Sequence, residues 1–76
     1  MKIQILGTGC PKCHKLAANA QQAVDELGVD AEVVKLTELD DILAFGVMIT
    51  PGLAIDDTVK SVGKVLSVNQ IKRLLE

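Results

Sequence analysis

The strongest constraint on this chain is a change of period near its start. Lys2–Leu6 alternates as a strand does, with Ile3 and Ile5 on one face and Gln4 and Leu6 on the other. Gly7-Thr8-Gly9 breaks that pattern, and Pro11 fits the first position of a helix, where its missing N–H costs nothing. From Cys13 onward the apolar residues recur at helical steps, through Leu16, Ala17, Ala20, Val24 and Leu27, and Gly28 is a natural left-handed stop. A second strand pattern spans 31–36, centred on Val33 and Val34. A strand, a helix and a strand joined in this way close as a right-handed crossover with the two strands parallel.

The second half follows different rules. Thr37 with Asp40 resembles a capping box, and Leu39, Ile42, Leu43 and Phe45 suit a short helix ending at Gly46. Residues 47–49 lead into Thr50-Pro51, and 53–55 reads as a third strand. Asp56-Asp57 makes a turn into a fourth strand, Thr58–Val62, so these two form a hairpin. Ser67 with Gln70 is a fuller capping box, opening a last helix with Val68, Ile71, Leu74 and Leu75 as its apolar stripe. The order β-α-β-α-β-β-α predicts an α/β fold with a mixed sheet and helices available to both faces.

At 76 residues the chain is expected to be a single domain, 1–76. Phe45 is its sole aromatic residue, so the core falls to Leu, Ile, Val and Ala. A net charge of −2 and the lack of stacking aromatics argue against a nucleic-acid partner. No apolar run approaches the ~20 residues that span a bilayer, and the first residues lack the apolar stretch of a secretory signal. A cytoplasmic, reducing setting is therefore expected.

Two cysteines, Cys10 and Cys13, carry the functional signal. A bridge between them closes too short a loop to staple a fold. Packing as small buried hydrophobes is the bland alternative, and a vicinal pair beside a glycine and a proline points instead to thiol chemistry. The pattern puts Cys10 at the helix N-cap and Cys13 in the first turn, neighbours at the separation a disulfide needs. Unpaired N–H groups and the helix dipole at that end favour thiolate at Cys10. Local charge agrees, because up to residue 24 the chain carries Lys2, Lys12 and Lys15 and no acid. The thiolate is the attacking species in disulfide exchange, which makes Cys10 the expected nucleophile and Cys13 the resolving thiol.

Gly9-Cys10-Pro11-Lys12-Cys13 between a strand and a helix, then Thr50-Pro51-Gly52-Leu53-Ala54-Ile55-Asp56, a hairpin and a final helix, together resemble the thioredoxin superfamily. The match is nearest to the very small thioredoxin-like, redox-active disulfide proteins of archaea and bacteria, and it covers essentially the whole chain. The resemblance implies a minimal thioredoxin fold, a four-stranded sheet in the order 2-1-3-4, and a cis Pro51 pressed against the disulfide. It also implies that the backbone of Thr50 pairs with an incoming substrate chain. The activity implied is that of a protein disulfide oxidoreductase, exchanging with protein disulfide substrates. The resemblance further implies no bound cofactor and no metal, with electrons supplied by a partner reductase. Gly9, Pro11 and Lys12 are expected to support the site. The chain departs from the family at Gly9, where thioredoxins carry Trp, at Pro11-Lys12 in place of Gly-Pro, and at Gln4, which replaces a buried acid.

Two other readings share the cysteine spacing. Cys10-Pro11-Lys12-Cys13-His14 matches a c-type haem attachment pattern, with Met48 as a second axial ligand, although two strands and a hairpin suit no helical haem wrap. A soft-metal chaperone binding copper or zinc through Cys10 and Cys13 has the right length. That class carries Met where this chain has Thr8, and it ends in a strand rather than a capped helix. His14 is otherwise a solvated residue of the first turn.

Overall fold

A computed structural model of the chain describes residues 1–9 and 11–75. Its elements are β1 (Lys2–Leu6), α1 (Pro11–Leu27), β2 (Glu32–Leu36), α2 (Leu39–Ala44), β3 (Gly52–Ile55), β4 (Thr58–Val62) and α3 (Val68–Leu75). The four strands form one sheet in the order β2-β1-β3-β4. β1 runs parallel to β2 and antiparallel to β3, and β3 pairs antiparallel with β4. The parallel β1–β2 pair and the β3–β4 hairpin are those the residue pattern predicts, and the strand order is the one the resemblance implies.

Strand alternation divides the core. Ile3, Ile5, Leu53 and Ile55 face α1 and α3, where they meet Leu16, Ala20, Val24, Ile71 and Leu75. Leu6 and Ala54 face the other way, onto Ile42 and Val47, with Phe45 packed against that smaller cluster. β3 is buried along its whole length because it lies inside the sheet and is covered on both faces. Two polar contacts tie α1 to α3 and to the segment that leads into it. Asn19 Nδ2 donates to the Leu66 carbonyl at 2.9 Å, and Lys72 Nζ pairs with Glu26 Oε1 at 2.6 Å.

Local chemistry sets the ends of the elements. Gly28 ends α1 with φ of 65°, the left-handed conformation that a side chain opposes. The hairpin turns on Asp56 and Asp57, both at positive φ (49° and 69°), the signature of a tight I′ turn. Lys60 is an extra residue in β4, since Leu53 pairs with Ser61 while Ala54 pairs with Val59. Ser67 and Gln70 form the reciprocal capping box, with Ser67 N–H donating to Gln70 Oε1 at 2.9 Å and Gln70 N–H to Ser67 Oγ at 3.2 Å.

Three expectations are corrected. The second strand begins at Glu32 rather than at 31, because the Ala31 N–H is spent in a turn to the Val29 carbonyl. The Thr37–Asp40 box does not form. α2 starts at Leu39, so the N-cap is Glu38, which makes no side-chain cap bond, and Thr37 lies one residue too early. α2 buries Ile42 alone, and Leu39 and Leu43 face solvent. The third strand starts at Gly52, which pairs with Leu6 on one side and Val62 on the other.

Candidate functional site

The site lies where β1 ends, α1 begins and β3 begins. Pro11 is the first residue of α1, as its fixed φ allows, and no acid occupies the first turn. Cys13 lies one position past Lys12 on the inner face and is buried, while Pro11, Lys12 and His14 are exposed. Cys10, the expected nucleophile, lies outside the described residues, and with it the expected N-cap and the spacing of the two sulfurs.

Cys13 reaches the end of β1. A Cβ built on Gly7 would fall 2.2 Å from Cys13 Sγ, so the sulfur lies directly over the glycine. Gly9, by contrast, has φ of 96°, and a Cβ there would meet none of the described residues beyond its chain neighbours within 4 Å, so its role is to turn the chain toward the helix. A small hollow beside Cys13 is bordered by Gly7, His14, Lys35 and Thr37, which brings the C-terminal end of β2 to the same place.

Pro51 arrives from the other side of β1. The register pairs Leu6 with Gly52, so Gly7 and Pro51 are the next residues out at the same end of neighbouring strands. The Thr50–Pro51 peptide bond is cis, as the resemblance implies. Pro51 is fully buried and its carbonyl accepts the Gly63 N–H at 2.8 Å, which fixes the segment to the end of β4. Gly52 is tightly packed as well, since a Cβ there would meet Val47 Cγ1 at 3.2 Å and Leu6 Cβ at 3.4 Å. Thr50 is half-buried, and the preceding Met48 and Ile49 are exposed at 87% and 66%, which leaves an apolar rim outside the proline.

Gln4, the residue in place of the family's buried acid, is turned away from this end. It faces the hairpin, where its side chain bonds Asp57. Sequence reasoning read Gly7 only as a break in the strand. Its close approach to Cys13 is a contact through space that no local pattern signals, and the same holds for Lys35 and Thr37.

Comparison with known proteins agrees with this architecture. A family model described as thioredoxin domain matches residues 1–76. A thioredoxin of Methanothermobacter thermautotrophicus is 52% identical over 75 residues, covering 99% of this chain and 97% of the relative. A thioredoxin of Methanocaldococcus jannaschii is 49% identical over 74 residues, covering 97% of this chain and 85% of the relative. The chain belongs to the thioredoxin domain family, and it is a thioredoxin-like oxidoreductase. In its order of elements a helix, α2, follows β2, where the ferredoxin-like plan of the metal chaperones continues with a strand. Among the described residues no helix is long and apolar enough to cross a membrane.

Proposed function

We propose that the chain, acting as one domain, exchanges its Cys10–Cys13 dithiol for disulfides in protein substrates. Cys10 attacks the substrate disulfide, and Cys13 resolves the mixed disulfide. Thr50 offers its backbone beside Pro51 to the substrate chain. A partner reductase returns the electrons, no bound cofactor is needed, and a reducing, cytoplasmic setting suits that direction of flow.

The observation that carries this reading is the burial of Cys13 in the first turn of α1, at the sheet end where Pro51 also lies. A buried second sulfur beside an exposed helix tip divides the labour. The outer thiol meets the substrate, and the inner one waits until a mixed disulfide forms within its reach. The twin thioredoxin relatives support the same chemistry.

The test is a redox titration of the two thiols, coupled in parallel to thioredoxin reductase and to glutathione. The reading expects a reversible two-electron dithiol–disulfide couple that draws electrons from one of the two sources. Thiols that never join into an intramolecular disulfide would refute it.

A further inference from the structure

We propose that Gly7 is a positioning residue for the resolving sulfur. The bare backbone at the end of β1 is the seat on which Cys13 Sγ lies. The inference rests on the reading of Cys13 as the resolving thiol.

The two glycines that flank Thr8 serve different needs. Gly9 is at positive φ, and a Cβ there would meet none of the described residues beyond its chain neighbours within 4 Å. Gly7 is outside the left-handed region, so conformation does not demand a glycine. Space does. A Cβ at position 7 would lie 2.2 Å from Cys13 Sγ and 3.0 Å from Cys13 Cβ, and the first distance is one that real Cβ atoms do not tolerate. Neither partner is free to retreat. Gly7 is buried, and its N–H donates to the Leu36 carbonyl at 3.0 Å, which continues the β1–β2 ladder by one residue. Cys13 is held by α1, whose next inward residues, Leu16 and Ala17, are buried in the main core. The sulfur therefore fills the volume that a side chain at position 7 would need.

That seat bears on one chemical step. Cys13 Sγ attacks Cys10 Sγ in the Cys10–substrate mixed disulfide and gives up its proton as it does so. The Cys10–Cys13 bond forms, the Cys10–substrate bond breaks, and the substrate sulfur leaves as a thiolate that takes up a proton. The dithiol loses two electrons and the substrate disulfide gains them. The line of attack depends on where Cys13 Sγ starts, and a displacement of about 1 Å at a reacting atom can cost roughly a hundredfold in rate.

Stopped-flow reaction of the reduced protein with 5,5′-dithiobis(2-nitrobenzoate) separates the steps. The first equivalent of thionitrobenzoate reports attack by Cys10, and the second reports resolution by Cys13. Gly7→Ala is expected to leave the first phase unchanged and slow the second by roughly tenfold to a hundredfold. An unaltered second phase, or equal slowing of both, overturns the proposal. A second measurement covers a variant that folds poorly. In urea unfolding, the drop in midpoint caused by Gly7→Ala is expected to shrink sharply in a Cys13→Ala background, where the sulfur is gone. An equal drop in both backgrounds overturns the seat. If the unsubstituted protein releases no second equivalent, the resolving role of Cys13 fails and with it this proposal, while the unfolding cycle still reports whether Gly7 and the sulfur compete for one space.

Discussion

Gln4 and Asp57 exchange two hydrogen bonds across the sheet: Gln4 Nε2 donates to Asp57 Oδ1 at 2.8 Å, and the Asp57 N–H donates to Gln4 Oε1 at 2.9 Å. Both capacities of the amide are used, and the β3–β4 turn is fastened to β1. Lys2 and Asp56 add a second clasp, with the Lys2 N–H on Asp56 Oδ1 at 2.8 Å and the Asp56 N–H on the Lys2 carbonyl at 2.9 Å. The position that holds a buried acid elsewhere in the superfamily is here part of the hairpin's anchorage.

Replacement of that amide by an acid should therefore destabilise the fold rather than improve redox chemistry. Gln4→Glu puts a second carboxylate against Asp57 and removes the Nε2 donor. The repulsion raises the folded-state pKa of the introduced acid above its unfolded value. The sign follows: the penalty is present above the folded pKa and fades as pH falls below the unfolded one, so the loss relative to the unsubstituted chain is larger at pH 7 than at pH 4. Gln4→Ala should cost about 1–3 kcal/mol at both pH values. Urea unfolding at the two pH values checks both.

Two leucine-like positions in one helix should behave oppositely. Ile42 is fully buried between Leu6, Ala54 and Val47, whereas Leu39 is 59% exposed. Ile42→Ala should cost about 2–5 kcal/mol, a large part of the ~5–10 kcal/mol available to a chain of this size. Leu39→Ala should stay within about 0.5 kcal/mol. Denaturant midpoints for the two variants decide it.

The tie between α1 and α3 should depend on pH. Lys72 and Gln22 both hydrogen-bond Glu26, and they hold its carboxyl below the usual value of 4.5. A lowered folded-state pKa means that the contribution is present above the unfolded value and is lost as pH falls through the folded one. Glu26→Gln is expected to lower the melting temperature slightly at pH 7 in low salt, and progressively less as pH falls below the usual carboxylate value. Added salt should shrink the difference, since the pair is exposed.

Ser67→Ala should lower stability by about 1 kcal/mol, because the Gln70 N–H loses its partner at the start of an eight-residue helix. Chemical unfolding measures it, and Ser67→Thr should recover most of the loss.

Those same caps show what a sequence can reveal. Ser67 and Gln70 were legible because a capping box is a local exchange at fixed spacing. Thr37 and Asp40 have that spacing too, but Ile42 must reach the core beneath β1 and β3. This starts α2 at Leu39 and leaves Thr37 outside it. The parallel β1–β2 pair followed from the helix between them, and the hairpin from Asp56-Asp57. The Gln4–Asp57 clasp joins residues 53 apart, and the seat of Cys13 on Gly7 depends on how α1 leans over the sheet. Neither is written in any local pattern. Within the candidate site, the cysteine spacing and Thr50-Pro51 were legible as motifs, while the register that sets Gly7 and Pro51 at one end of the sheet is tertiary.

The division of labour between Cys10 and Cys13 is tested most directly by trapping. Cys10→Ser and Cys13→Ser variants are mixed with a disulfide-containing protein, quenched with acid and resolved by mass spectrometry. Cys13→Ser should accumulate one mixed disulfide through Cys10, and Cys10→Ser should accumulate little or none. A mixed disulfide formed chiefly through Cys13, or none in either variant, would contradict the account.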